Sequence, residues 1–155
     1  MKKRKLIKNL YFVFLLFAFF IYFFAVIYIT LGDRSEEERR AILEPFYSIR
    51  MIIEDKNYYY VKMLYYNVAM LMPLGVLLPM MSRKLRSFKI IVMCGFIFSL
   101  AIEVIQYFTG RGLFEVDDLI ANTFGAFFGY LFFYWIHRLL FKNSNNKNIK
   151  DENNS

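Results

Sequence analysis

The chain has 155 residues, 58% of them hydrophobic and 21% aromatic, with 19 Phe and 12 Tyr. A soluble core of that length cannot hide so much apolar surface, so the composition describes one membrane domain and excludes a soluble globular fold. The formal net charge of +7 does not mark a nucleic-acid partner, because the basic residues cluster between apolar runs, where they set topology instead.

Lys2, Lys3, Arg4, Lys5 and Lys8 make residues 1–9 a basic N-terminus. Residues 10–31 are uncharged and long enough to cross a bilayer. This run exceeds the apolar region of a secretory signal, and no Ala-x-Ala type of cleavage site follows, so it reads as a first membrane helix. Residues 32–60 form the largest segment outside the spans, with seven acidic against five basic residues. Within it, SEEERRAILE has Ser35 as a cap and pairs such as Glu36 and Arg40 four residues apart, which predicts a short surface helix ended by Pro45. Tyr58, Tyr59, Tyr60, Tyr65 and Tyr66 read as an interfacial aromatic belt.

A second span is predicted at 61–81, with Asn67 inside it, Pro73 freeing the carbonyl of Ala69, and Pro79 near its end. Arg83, Lys84, Arg86 and Lys89 separate it from a third span at 90–109, interrupted only by Glu103. The fourth is predicted at 116–138, with His137 at its far end; the polar stretch 142–155 has nothing to bury and reads as a disordered tail. Residues 10–141 are therefore expected to form an all-α domain, a bundle of four transmembrane helices. The positive-inside rule places both termini and the 82–89 loop in the cytoplasm and 32–60 outside. Cys94 stands alone in the third span, with no partner for a disulfide or a Cys-based metal site.

Residues 103–129, EVIQYFTGRGLFEVDDLIANTFGAFFG, break this apolar pattern. Glu103, Gln106, Arg111, Glu115, Asp117, Asp118 and Asn122 lie close together in a region where polar groups are costly unless they face protein or water. If Gly110 to Phe114 turn between antiparallel helices, Glu103 lies opposite Asn122, and Gln106 lies opposite Asp118 and Leu119. Helical spacing puts Asp118, Asn122, Gly125 and Gly129 in one stripe, with Glu115 at its edge and Asp117 pointing elsewhere. Gly95, Ser99, Glu103, Gln106 and Gly110 form a stripe on the preceding helix. Small residues at the deep end of each stripe permit close packing, and polar residues at the shallow end can bond across the gap.

The ordered series Glu103-x-x-Gln106, Arg111, Asp118, Asn122-x-x-Gly125-x-x-x-Gly129 is preceded by Asn67, Pro73 and Gly75 in NVAMLMPLG and by the Pro45-Phe46 pair. Over about residues 44–135 this resembles the VanZ-like family of small bacterial membrane proteins. Glu44 stands where an Asn often precedes the Pro-Phe pair, and Glu115 where an Asp is commoner; both keep a polar oxygen. The resemblance implies a protein of the bacterial cytoplasmic membrane linked to the cell envelope, the family's namesake being associated with low-level resistance to the lipoglycopeptide teicoplanin.

Three functional readings follow from the residues. In the preferred one, Asn67, Glu103, Gln106, Asp118 and Asn122, with Arg111 at the mouth, form an outer-leaflet pocket for an amphipathic molecule such as a lipid-linked envelope precursor or a lipoglycopeptide. Arg111 would then meet its phosphate or carboxylate. In the second, Glu103 among apolar residues and Asp118 near Arg111 are the catalytic candidates, an acid/base pair in a membrane-embedded enzyme, although no Ser-His pair accompanies them. In the third, the chain is a helper that packs against another membrane protein through the Gly125 to Gly129 face; set against all three is a purely structural alternative, in which the polar groups only form an interhelical network, with Arg111 neutralising Asp117 or Asp118. The Gly125-x-x-x-Gly129 motif could mark a homo-oligomer face, but its place on the polar stripe favours packing within one chain, together with Pro73 and Gly75. A network alone returns little for carboxylates near lipid, about 0.6 kcal/mol per bond. Glu103, Asp118 and Asn122 lack a metal-ligand spacing, and no motif asks for a cofactor, so neither metal nor cofactor is expected.

Overall fold

A computed structural model describes residues 2–32 and 40–152, with side chains described through residue 140. Helix α1 (Lys2–Ile27) continues as a π-helical turn over Tyr28–Gly32; strand β1 (Ala41–Ile42) and helix α2 (Tyr47–Glu54) follow. Helix α3 (Tyr58–Met81), a 3₁₀ turn (Arg83–Leu85), helix α4 (Phe88–Thr109), strand β2 (Phe114–Glu115) and helix α5 (Val116–Glu152) complete the chain. Lys2–Gly32, Tyr58–Met81, Phe88–Thr109 and Val116–Leu140 are each long and apolar enough to cross a membrane. The chain is thus an all-helical bundle with four candidate spans.

Local chemistry sets the ends of these helices. No Gly or Pro interrupts the sequence from Lys2 to Leu31, so the basic N-terminus and the first apolar run form one helix. Asn57 caps α3, its Oδ1 accepting the Tyr59 N–H at 3.1 Å, and α3 ends at the extended residue Ser82. Gly110 ends α4 in the left-handed region at φ 68°, its N–H turned back on the carbonyls of Gln106 and Tyr107. Asp117 and Asp118 in the first turn of α5 suit the positive end of that helix. Beyond Trp135 no Gly or Pro breaks the chain either, and the backbone from 142, expected to be disordered, continues as helix to Glu152. Residues 153–155 lie outside the described residues.

The expected surface helix from Ser35 is placed by the structure only in part. Ser35 and Glu36 lie outside the described residues, but the last part of that stretch is not helical. Ala41 and Ile42 form β1 instead, paired in parallel with Phe114 and Glu115, and the Phe114 N–H donates to the Arg40 carbonyl at 3.1 Å. Long-range backbone pairing overrides a helical charge pattern here.

Helix α5 is packed against both α3 and α4. Gly125 and Gly129 pack on α3, not α4. A Cβ at Gly125 would strike the Val68 carbonyl, one at Gly129 the Met72 carbonyl, and one at Gly75 the Ala126 carbonyl. In lipid there is no water to drive helices together, so dispersion contacts between closely approaching backbones hold this pair. Gly95 and Ser99 of α4 meet α5 at Ala126 and Asn122. Helix α1 is peripheral, with Val26 joining Leu71, Leu74 and Ile102 in a small core and the Tyr22 hydroxyl donating to the Met70 carbonyl at 3.0 Å.

The α4–α5 hairpin is shifted by about one turn from the symmetric register. Asn122 Nδ2 donates to Ser99 Oγ at 2.9 Å, whereas Glu103 Oε2 accepts the Glu115 N–H at 3.0 Å. Glu103 is therefore level with the start of α5 rather than with Asn122. The reason lies in the connection: after Gly110 the chain enters β2 and returns along α4 before α5 begins.

At the other end of the bundle Arg86 ties the 82–89 loop to α5. Its Nε donates to the Pro79 carbonyl at 3.1 Å, its Nη1 lies 3.2 Å from His137 Nε2, and its own carbonyl accepts the Tyr130 hydroxyl at 3.0 Å.

The contact between α3 and α5 makes a direct expectation. Gly75→Ala or Gly125→Ala should lower stability in detergent by about 1–3 kcal/mol, the range for overpacking a tight contact. Ala101→Leu, on an exposed face of α4, should leave the unfolding midpoint unchanged. Equal midpoints for all three variants and the native protein would show that α3 and α5 do not meet at these glycines.

Candidate functional site

The end of the bundle formed by the π turn, α2, the β1–β2 pair and the α4–α5 connection gathers nearly all the polar side chains of the 103–122 stretch. Several of them act as tethers. Asp117, which is buried, accepts the Phe46 N–H at 2.6 Å and the Ser48 N–H at 2.7 Å, one on each carboxylate oxygen. Helix α2 lacks a side-chain cap of its own, because Phe46 at its start adopts a left-handed φ of 65° and has no acceptor to offer. Asp117 supplies the missing cap from α5 and places negative charge at the positive end of α2. This links the Pro45-Phe46 pair to the acidic pair, a link invisible in helical spacing, which only showed Asp117 pointing away from its neighbours.

Arg111 and Gln106 fasten the end of α1. Arg111 Nη1 donates to the Leu31 carbonyl at 2.9 Å, and Gln106 Nε2 donates to the Thr30 carbonyl at 3.2 Å. Carbonyls at the end of a helix lack intrahelical partners, and here a cation and an amide satisfy two of them. Thr30, buried in the π turn, returns its hydroxyl to the Val26 carbonyl at 2.8 Å. Asn122 holds Ser99, as above, and its Oδ1 is buried with no hydrogen-bond partner among the described residues.

Glu44, just before the Pro-Phe pair, receives Arg50 Nη2 at 2.7 Å. This bond and the charge of Glu44 raise the Arg50 guanidinium above its ordinary value. Both groups are well exposed, so the pair adds little to stability.

The remaining polar residues line a cavity of about 710 Å³ between α1 and α3, with α4 and α5 behind it. Asn67, Glu103, Gln106 and Asp118 all face this space. Glu103 is 1% and Gln106 4% exposed, so both are held inside the protein rather than in lipid. Arg111 and Asn122, assigned to the same pocket from sequence, are not among the lining residues. The one-turn hairpin shift carries Asn122 down to Ser99, and the bond to Leu31 keeps the exposed Arg111 on the end of α1.

Sequence reasoning missed Tyr22, Thr30 and Lys62, which also line the cavity. Helical spacing gave a usable signal for Lys62, since Tyr59, Lys62, Tyr66, Asn67 and Pro73 follow one face of α3. Nothing local marks Tyr22 or Thr30, which lie in the uncharged first run. Deeper in the cavity the walls become apolar, with Val26, Met70 and Ile102, and the exposed rim residues Ala25, Ile29, Tyr66 and Pro73 leave its side facing the lipid.

Fold and site together define a four-span membrane protein with a partly polar cavity at one end. A family model described as VanZ/LLP1 matches residues 10–138, most of the chain, and the protein belongs to that family. Among curated proteins and among solved structures, nothing matches.

The cap supplied by Asp117 predicts a local effect. Asp117→Ala should speed amide hydrogen exchange over residues 46–54 by at least about tenfold, since each charge-assisted bond contributes about 1.5–3 kcal/mol. Exchange in α3 and α4 should change little. Unaltered exchange at 46–54 would mean that α2 does not depend on this carboxylate.

Proposed function

We propose that this chain is a bacterial cytoplasmic-membrane protein, with both termini inside, whose outer-leaflet pocket engages an amphipathic molecule of the cell envelope. Through that contact it would alter susceptibility to lipoglycopeptides such as teicoplanin. The observation that carries the reading is the lining of the cavity: two carboxylates and two carboxamides, apolar walls deeper in the bundle, and an exposed side. A polar head and a hydrocarbon chain need that combination. The orientation rests on charge, since the N-terminus, the 82–89 loop and Arg138 are basic while 32–60 is net acidic.

A second reading keeps the site and adds chemistry. Glu103 and Asp118 line the same cavity, so an acid/base pair acting on a lipid-linked substrate has a place to work. The helper reading has less support, because Gly125 and Gly129, its suggested docking face, are covered by α3.

Two measurements test these proposals. A cysteine at Ser87, in a Cys94→Ala background, should resist membrane-impermeant thiol reagents in intact cells, whereas one at Glu37 should react; the reverse pattern would put the cavity on the cytoplasmic side. Glu103→Gln and Asp118→Asn should accumulate in the membrane at near-native levels, yet lose both co-purifying amphiphile and any envelope phenotype. Degradation of both variants would point to the carboxylates as structural. Turnover of a lipid-linked substrate by native protein but not by Glu103→Gln would favour the enzyme.

A further inference from the structure

A second opening lies between α4 and α5. Phe88, Val92 and Phe96 of α4 face Ile120, Phe124 and Phe127 of α5 across a groove of about 490 Å³, which shares no lining residue with the cavity between α1 and α3. The one polar side chain among its described lining residues is Thr123, whose hydroxyl donates to the Leu119 carbonyl at 2.7 Å and so leaves no free donor in the groove. Such a surface takes hydrocarbon and nothing polar. Its rim decides which hydrocarbon. Helices approach one another in lipid through small residues, but here Phe88, Phe96 and Phe124 stand half exposed along the groove, while Gly95 and Gly125 are covered by neighbouring helices. A flexible chain can lie between those rings where a helix would be held off. The α4 wall begins at Phe88, the first residue of that span, and runs about 12 Å to Phe96. That is close to one leaflet of the hydrocarbon core, about 15 Å.

Charge at one end of the groove selects the head group. Lys89, exposed, follows Phe88 and shares a helix face with Val92 and Phe96; Arg138, also exposed, continues the α5 face that carries Ile120, Phe127 and Tyr134. The contact of Arg86 with His137 sets the start of α4 beside that part of α5, so both cations stand at the same end. No acidic residue lies between Asp55 and Glu103 or between Asp118 and Asp151, so nothing nearby in either helix offsets them. A phosphate suits that end, and cations beside a membrane surface attract anionic lipid. We infer that the groove holds an acyl chain of an anionic glycerophospholipid, with the phosphate at Lys89 and Arg138. This site is separate from the cavity between α1 and α3 and stands whether or not that cavity binds an amphiphile.

Native mass spectrometry of the full chain, with equal amounts of phosphatidylglycerol and phosphatidylethanolamine of one acyl composition, tests it. Each cation near an anionic head contributes about fivefold, so native protein should retain phosphatidylglycerol over phosphatidylethanolamine by at least about tenfold. Lys89→Gln and Arg138→Gln should each lower that ratio about fivefold, while Lys84→Gln, in the same basic loop but outside the lining, leaves it unchanged. Val92→Trp and Ile120→Trp fill the groove from opposite walls and should abolish phosphatidylglycerol retention; the pair keeps the test intact if one folds poorly. Ala25→Trp, which fills the cavity between α1 and α3, should keep the preference. An equal loss in Lys84→Gln would assign the preference to diffuse charge, and native retention in both groove-filling variants would leave the groove without a lipid; either result overturns the inference. A dimer that persists without lipid and is lost in those two variants would put a second copy of the chain in the groove instead. Loss of the preference in Ala25→Trp would move the anionic lipid to the other cavity, overturning this site while leaving the amphiphile reading in place.

Discussion

The close approach of α3 and α5 is the constraint on which the other features depend. Three glycines, Gly75, Gly125 and Gly129, remove the side chains that would hold the two backbones apart. Bringing α5 onto α3 fixes Asp118 behind the face of α3 that carries Lys62 and Asn67, so the cavity has a back wall. It also leaves α1 as a peripheral wall, anchored through Val26, Tyr22 and the carbonyls of its π turn. A π turn at such a place is consistent with a functional site, since these distortions are retained where a regular helix cannot satisfy local needs.

Polar groups in this bundle divide into tethers and lining. Asp117, Arg111 and Asn122 are committed to backbone or side-chain partners that join segments far apart in sequence. Glu103 and Gln106 do both, Glu103 accepting from the Glu115 N–H and Gln106 donating to the Thr30 carbonyl while each lines the cavity. The interhelical network weighed from sequence is therefore real for part of the set, and it explains why those residues tolerate membrane depth: their polar atoms face protein. A network does not require a cavity of about 710 Å³ beside it, and that space is what separates a binding reading from a purely structural one.

Much of the fold was legible because membrane spans are written in composition and length. Span positions follow from uncharged runs and basic punctuation, and Gly110 marks the end of α4 as its backbone conformation requires. The details that failed were those set by tertiary contacts. Assuming a symmetric turn put Glu103 opposite Asn122, whereas β1–β2 pairing redirects the connection and shifts the register. Likewise the charge pairs after Ser35 suggested a helix where Ala41 and Ile42 are held extended. Gly125 and Gly129 were recognised as packing residues, but only the assembled bundle assigns them to α3. Asp117 could be seen to point away from its stripe; its target, an uncapped helix about 70 residues earlier, required the fold.

The proposed function makes the membrane both solvent and source of ligand: an amphiphile would enter sideways between α1 and α3 and be held by groups that the protein, not the lipid, keeps solvated. The most direct test uses a phosphatidylethanolamine with a photoreactive group in its acyl chain, crosslinked to the protein in membranes and mapped by peptide mass spectrometry. Adducts concentrated on residues 22–30 and 59–73, and diminished in Ala25→Trp, are the predicted result. Adducts spread evenly over those segments and over the outward residue Phe108 of α4 would contradict a lipid-accepting cavity.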